Sequence, residues 1–141
     1  MSDTEYFNRS AFNEDVIFYD KVTISNDLFA SGKVNDISGN VRGIPQNSQT
    51  SAYTLIVSDT GKHINITTGG VTIPANIFSI GDVVTIYNNS TSSQTITQGS
   101  SVTLRQSGTA NTGNRTLAQF GLATILCVDS NVFVISGSGL T

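Results

Sequence analysis

The sequence predicts an all-β fold: a compact β-sandwich or flattened barrel of about eight short strands, preceded by an extended N-terminal arm and a short intertwining β segment. Three observations predict it. Ser, Thr, Asn and Gln fill about two-fifths of the 141 residues, and only 12% are charged, where an ordinary soluble domain has roughly 25%. Thr, Val and Ile, which suit a pleated surface, are plentiful, while the Leu, Lys and Glu of helical bundles are scarce. Turn formers recur roughly every 8–12 residues through the second part of the chain.

Charge divides the chain. Residues 1–43 hold seven acids and four bases; residues 44–141 hold three of each. Gly43, Ile44 and Pro45 punctuate the join. We therefore expect an attachment arm and trimerisation segment over 1–43 and an all-β domain over 44–141. Residues 1–15 read as an arm carrying Tyr6, Phe7 and Phe12. Residues 16–19 and 21–25 read as strands, the second with period two. Leu28, Phe29, Val34, Ile37 and Val41 then stand alone between turn formers. So small a segment cannot bury enough apolar surface to fold alone, and its cheapest partner is a copy of itself.

In the second part we expect strands at residues 52–57, 63–67, 70–73, 82–88, 93–98, 102–105, 122–128 and 131–136. Ser58-Asp59-Thr60-Gly61 suits a turn, and Asp129-Ser130 a tight hairpin. Pro74 to Phe78 suggests one helical or 3₁₀ turn. The nearly continuous apolar run 122–128 should be a central strand. Residues 107–116, without apolar anchors, should be an exposed loop, and the end from Gly137 a flexible tail.

Several function classes drop out. A net charge of −3 offers no basic patch, so no nucleic acid is expected. No apolar run approaches the roughly 18 residues of a membrane span, and the polar start MSDTEYFNRS is no secretory signal. His63 has no recognisable nucleophile and acid beside it, so it reads as a strand histidine at a subunit contact. Cys127, the only cysteine, sits in an apolar run and reads as a small buried hydrophobe. Asp59, Asp82 and Asp129 are too far apart in sequence for a calcium loop and suit turns instead. No cofactor or metal site is expected, and no enzyme.

From Tyr53 to Gly137, about 85 of the 141 residues, the chain resembles a β-domain found at the ends of tailed-bacteriophage tail-fibre and other virion structural proteins. The features are an opening strand with its D-x-G-K turn (Tyr53 to Lys62), Val71-Thr-Ile-Pro74, and Phe78-x-x-Gly81. Val84-Thr-Ile86, the pair Gln94 to Gly99 and Ser101 to Leu104, and a closing hairpin (Gly121 to Ile125, Val132 to Gly137) follow in order. Phe133 departs from the Trp that members often carry there. Asp20 to Leu28 is similar to segments upstream of fibre tips, where three chains intertwine.

The resemblance implies a non-enzymatic virion structural protein: a trimeric surface appendage, either capsid decoration, head fibre or small tail-fibre component. It would be assembled in the host cytoplasm and displayed on the virion surface. Its trimer interface would be Val16, Phe18, Val22, Ile24, Leu28 and Val34. Its partners would be two copies of itself and a capsid or tail protein gripped by Tyr6, Phe7 and Phe12. The alternative is a tip module that recognises a bacterial surface glycan or protein. Its recognition loops would carry Asn88 and Asn89, then Ser107, Thr109, Asn111 and Asn114.

Overall fold

The computed structural model describes residues 22, 23, 25, 26, 34–36, 39–41 and 43–141. The chain divides into two units, Met1–Ser31 and Gly32–Thr141. In the first, Val22 and Thr23 have no regular structure, and Ser25 and Asn26 form a bend. The strand expected over 21–25 is thus absent at its described positions. Its apolar alternation has no neighbouring strand to pair with among the described residues.

The second unit is all-β. It opens with a small hairpin of β1 (Asn35–Asp36) and β2 (Gly39–Asn40), in which Val41 donates to the carbonyl of Val34. Nine further strands form one curled, nearly closed sheet: β3 (Gln46–Gln49), β4 (Tyr53–Thr54), β5 (His63–Ile66), β6 (Val71–Ile73), β7 (Val83–Asn88), β8 (Gln94–Gln98), β9 (Thr103–Gln106), β10 (Arg115–Asp129) and β11 (Val132–Leu140).

The sheet begins as three windings of chain. β3, β5 and β7 lie side by side in parallel, with Gln46 opposite His63 and His63 opposite Thr85. β4, β6 and β8 do the same, with Tyr53 opposite Val71 and Val71 opposite Ile96. Parallel neighbours need a long crossover, and each crossover here is itself a strand of the other row. The corners of the windings are packed tightly. Gly70 has φ +73°, and a Cβ there would collide with the carbonyl of Thr95. Buried Gln94 fastens the same corner: its Oε1 accepts from the Gly70 amide at 3.0 Å and its Nε2 donates to Thr67 O at 3.3 Å.

The last winding is closed by an antiparallel lid. β10 runs back along it, pairing first with β8 and then with β7. β11 returns antiparallel along β10, and β9 adds in parallel to β11. At the other end, β3 and β4 are edges, and no strand among the described residues pairs with their outer sides.

Alternation explains the core. In β7, Val84 and Ile86 are buried while Val83, Thr85 and Tyr87 are not. Inward residues of every long strand, including Ile64, Ile66, Ile96, Leu117, Ile125 and Ile135, fill one interior. Each such side chain stabilises the fold by about 1.5–3 kcal/mol. The Phe78 and Phe133 rings close one end edge to face, with centroids 5.8 Å apart.

Four local expectations are corrected. Residues 52–57 do not make one strand, because the chain turns after Thr54 into a 3₁₀ turn at Val57–Asp59. That turn exists because the Asp59 carboxylate accepts from the Ile56 amide at 2.9 Å. Residues 74–78 form bends and no helical turn. The expected loop 107–116 ends sooner, since Arg115 already pairs with Ile96. The expected tail is strand to Leu140, because β10 is long enough to pair with it.

Candidate functional site

The residues that chemistry singled out are tied into local hydrogen bonds. Asp59 is wholly buried and accepts from Tyr53 Oη at 2.8 Å, Asn47 Nδ2 at 2.8 Å and the Ile56 amide. These bonds fasten the first winding, and they consume the carboxylate. Burial, then the bond to Asp59, raises the Tyr53 pKa above its ordinary 10. His63 is half-buried on β5, with Nε2 3.0 Å from Gln46 Oε1 and Nδ1 3.3 Å from Ile44 O. Cys127 is buried, its thiol donates to Asp129 O at 3.4 Å, and burial raises its pKa. Among the described residues no group of His, Cys, Asp and Glu could hold a metal ion. No helix there is long and apolar enough to cross a membrane.

Of the residues assigned to attachment and trimerisation, Tyr6, Phe7, Phe12, Val16, Phe18, Ile24 and Leu28 lie outside the described residues. Val22 is exposed and Val34 half-buried. The two recognition loops stand at opposite ends of β8. One leads into it at Gln94; the other is tied to its far end, where the Asn114 side chain accepts from the Gln98 amide at 2.9 Å and Gln98 Oε1 accepts from Gly113 N at 3.0 Å. Asn89, Ser107, Thr109, Asn111 and Asn114 are exposed.

Asn88 is a correction, because it is 0% exposed and cannot meet a ligand. Its amide donates to the carbonyls of Ser92 at 2.8 Å, Leu117 at 3.1 Å and Ala118 at 2.8 Å. Its Oδ1 accepts from Ser90 Oγ at 2.7 Å. The Leu117 and Ala118 carbonyls are free to accept because β10 bulges there. Leu117 faces Leu140 and Leu122 faces Ser138, so the residues from 117 to 122 on β10 span only 140 to 138 on β11. Gly121 sits against the Leu117 side chain, where a Cβ would be 2.7 Å from Cδ1.

The bulge forces Phe120 to φ +56° and leaves its side chain 55% exposed. Positive φ is unusual for a bulky side chain, and such strain tends to mark working surfaces. Beyond the bulge, alternation puts apolar side chains of β10 on the outer face of the lid. Leu122 is 49% exposed, and Leu126 and Val128 are exposed beyond it. The register widens the stripe into rows: Tyr87–Leu122–Ser138, Thr85–Thr124–Ser136 and Val83–Leu126–Val134. Thr85 and Thr124 hydroxyls meet at 3.2 Å. Ile80 is also exposed, next to Gly81, whose amide bonds to Cys127 O. This face carries no Asp, Glu, Lys, Arg or His.

Sequence reasoning missed this face because outward apolar residues in a continuous apolar run look like a doubly buried strand. One signal was present. Leu117, Ala123, Ile125 and Cys127 hold inward positions, and Gln119 would break that series in a regular strand.

A scan against protein-family models and a search of curated proteins each found no match to the chain.

Proposed function

We propose that the chain is a non-enzymatic structural protein of a bacteriophage virion, a trimeric surface appendage held by its N-terminal segment. The observation that supports this reading is the polarity of the stack. The chain enters at the end where β3 and β4 are edges, and at the far end β10 is clasped by β7, β8 and β11, with β9 as the last edge beyond β11. A domain that continues from a mount suits a singly paired entry strand and a well-clasped far end. The low charge and short polar turns suit a rigid, protease-resistant display domain.

The native mass of the full chain at micromolar concentration tests it. Three chains are expected, with Ile24→Asp dispersing them. A mass of one chain for the unaltered protein would overturn the trimer.

A second reading is a tip that binds a bacterial surface glycan or protein. The exposed polar side chains of Ser107, Thr109 and Asn111 motivate it. A cell-binding assay without signal would remove it.

A further inference from the structure

We propose that Arg115 is a carboxylate-binding residue, and that with the loop before it Arg115 recognises an acidic saccharide. The proposal rests on the second reading above, a tip that binds a bacterial surface glycan, and names the class of glycan.

A buried polar group without a partner calls for an explanation, and a buried charge most of all. The Nε and Nη2 of Arg115 are shielded from solvent, and among the described residues no atom accepts a hydrogen bond from either. These two nitrogens form one edge of the guanidinium. That edge is the fork that grips the two oxygens of a carboxylate with parallel bonds. The acids of residues 44–141 do not supply those oxygens. Asp59 accepts from Asn47, Tyr53 and the Ile56 amide, Asp82 from the Ser79 amide and Asp129 from the Ser130 amide. A neutral side chain of similar length would avoid the cost of the unpaired fork. The cation is explained once a carboxylate from outside completes it.

Position gives the fork its access and its ligand class. Arg115 opens β10 opposite buried Ile96 and two residues before buried Leu117, so its side chain leaves the strand on the inner side. The residue as a whole is half-buried, which puts it at the border between core and solvent. The loop 107–114 runs directly into it. Gln98 holds the end of that loop: its Oε1 accepts from Gly113 N, and its amide donates to Asn114 Oδ1. Gly108 and Gly113 have φ +74° and +108°, and a Cβ at either would meet no atom within 4 Å. They are the pivots about which the loop swings aside to admit the carboxylate. Ser107, Thr109, Asn111 and Thr112 on this loop are exposed and offer hydroxyls and an amide. Residues 107–114 include no large apolar side chain, which the core of a protein interface needs and a sugar does not. Hydroxyls and an amide beside one carboxylate fork suit a sugar acid.

The test measures urea midpoints of the full chain with added glucuronate, against glucose at the same concentration and ionic strength. We expect glucuronate to raise the midpoint and glucose to leave it unchanged, because a ligand of the folded state alone stabilises that state. Arg115→Met, folded by circular dichroism, should bind glucuronate at least about tenfold more weakly. Lys62→Met, which removes one positive charge outside the loop, should respond as the unaltered protein does. Arg115→Met should also reduce binding to bacterial cells. No glucuronate effect, or an equal effect in Arg115→Met, would overturn the carboxylate site, while cell binding that Arg115→Met leaves intact would keep the tip reading standing. A glucuronate effect that needs Arg115, with cell binding that does not, would assign the carboxylate to a protein partner and overturn the saccharide. Absence of cell binding by the unaltered protein would overturn the tip and this inference with it.

Discussion

The side-chain amide of Asn88 lies 2.8 Å from the main-chain oxygen of Ala118, joining the end of β7 to the bulge of β10. The amide is wholly buried and also serves Leu117 and Ser92. One side chain therefore replaces the ladder bonds that β10 gives up where it leaves its register.

Asn88→Ala should destabilise the domain by about 2 kcal/mol, since it leaves buried carbonyls without donors. The midpoint of urea unfolding measures this. A change within about 0.5 kcal/mol, the scale of a surface substitution, would mean that water serves those carbonyls equally well.

Phe120→Asn should stabilise the domain. Asparagine tolerates the left-handed region, and the Phe120 ring is largely exposed, so the gain should be about 0.5–1 kcal/mol. The midpoint of urea unfolding measures this. A lower midpoint would show that the ring contributes to the fold by packing.

Arg115→Met should stabilise the protein. The Nε and Nη2 of Arg115 are shielded from solvent and have no hydrogen-bond partner. Methionine keeps the packing and removes the unpaired group, for a gain of about 1 kcal/mol. A lower urea midpoint would show that the guanidinium contributes to the fold more than its unpaired burial costs.

Alkaline pH should weaken the first winding. Burial, followed by the bond to Asp59, raises the Tyr53 pKa in the folded protein above its unfolded value near 10. The stability tied to this phenol is therefore fully present below about pH 10 and is lost as pH rises through the folded value. Urea midpoints from about pH 10 upward should fall, and Tyr53→Phe should flatten that decline. The raised Cys127 thiol also titrates in this range, so the difference between the two proteins, rather than either curve, reports on the tyrosine.

Much of the strand pattern was legible, because a period of two with β-branched residues is a local signal. The residues of β5, β6, β7, β8 and β9 stand within about one position of where alternation placed them. What alternation could not carry was pairing. Gln46–Gln49 is strand because it lies along β5, although its own residues are as polar as a linker. Gly137 and Gly139 are strand because β10 runs beside them. The windings escaped notice because the connections 55–62 and 74–82 differ in length and content, so no repeat shows. The candidate face was hidden for a related reason: Leu122 and Leu126 read as interior, and only the placement of β7 and β11 on either side of β10 shows which side is bare. Asn88 was placed correctly at a strand end, but its burial depends on a bulge thirty residues later.

The singly paired entry strand and the clasped β10 make the domain mechanically polar. Tension arriving through the chain before β3 meets a strand with one neighbour, β5. It can be peeled away singly, and the winding behind it then becomes the new edge. β10 cannot be removed that way, because it is clasped by β7, β8 and β11 together. Amide exchange should therefore be fastest in β3, β4 and β9, which have one strand neighbour each, and slowest in β7 and β10. A domain built in this order would give way gradually from its mount while its far end keeps its shape.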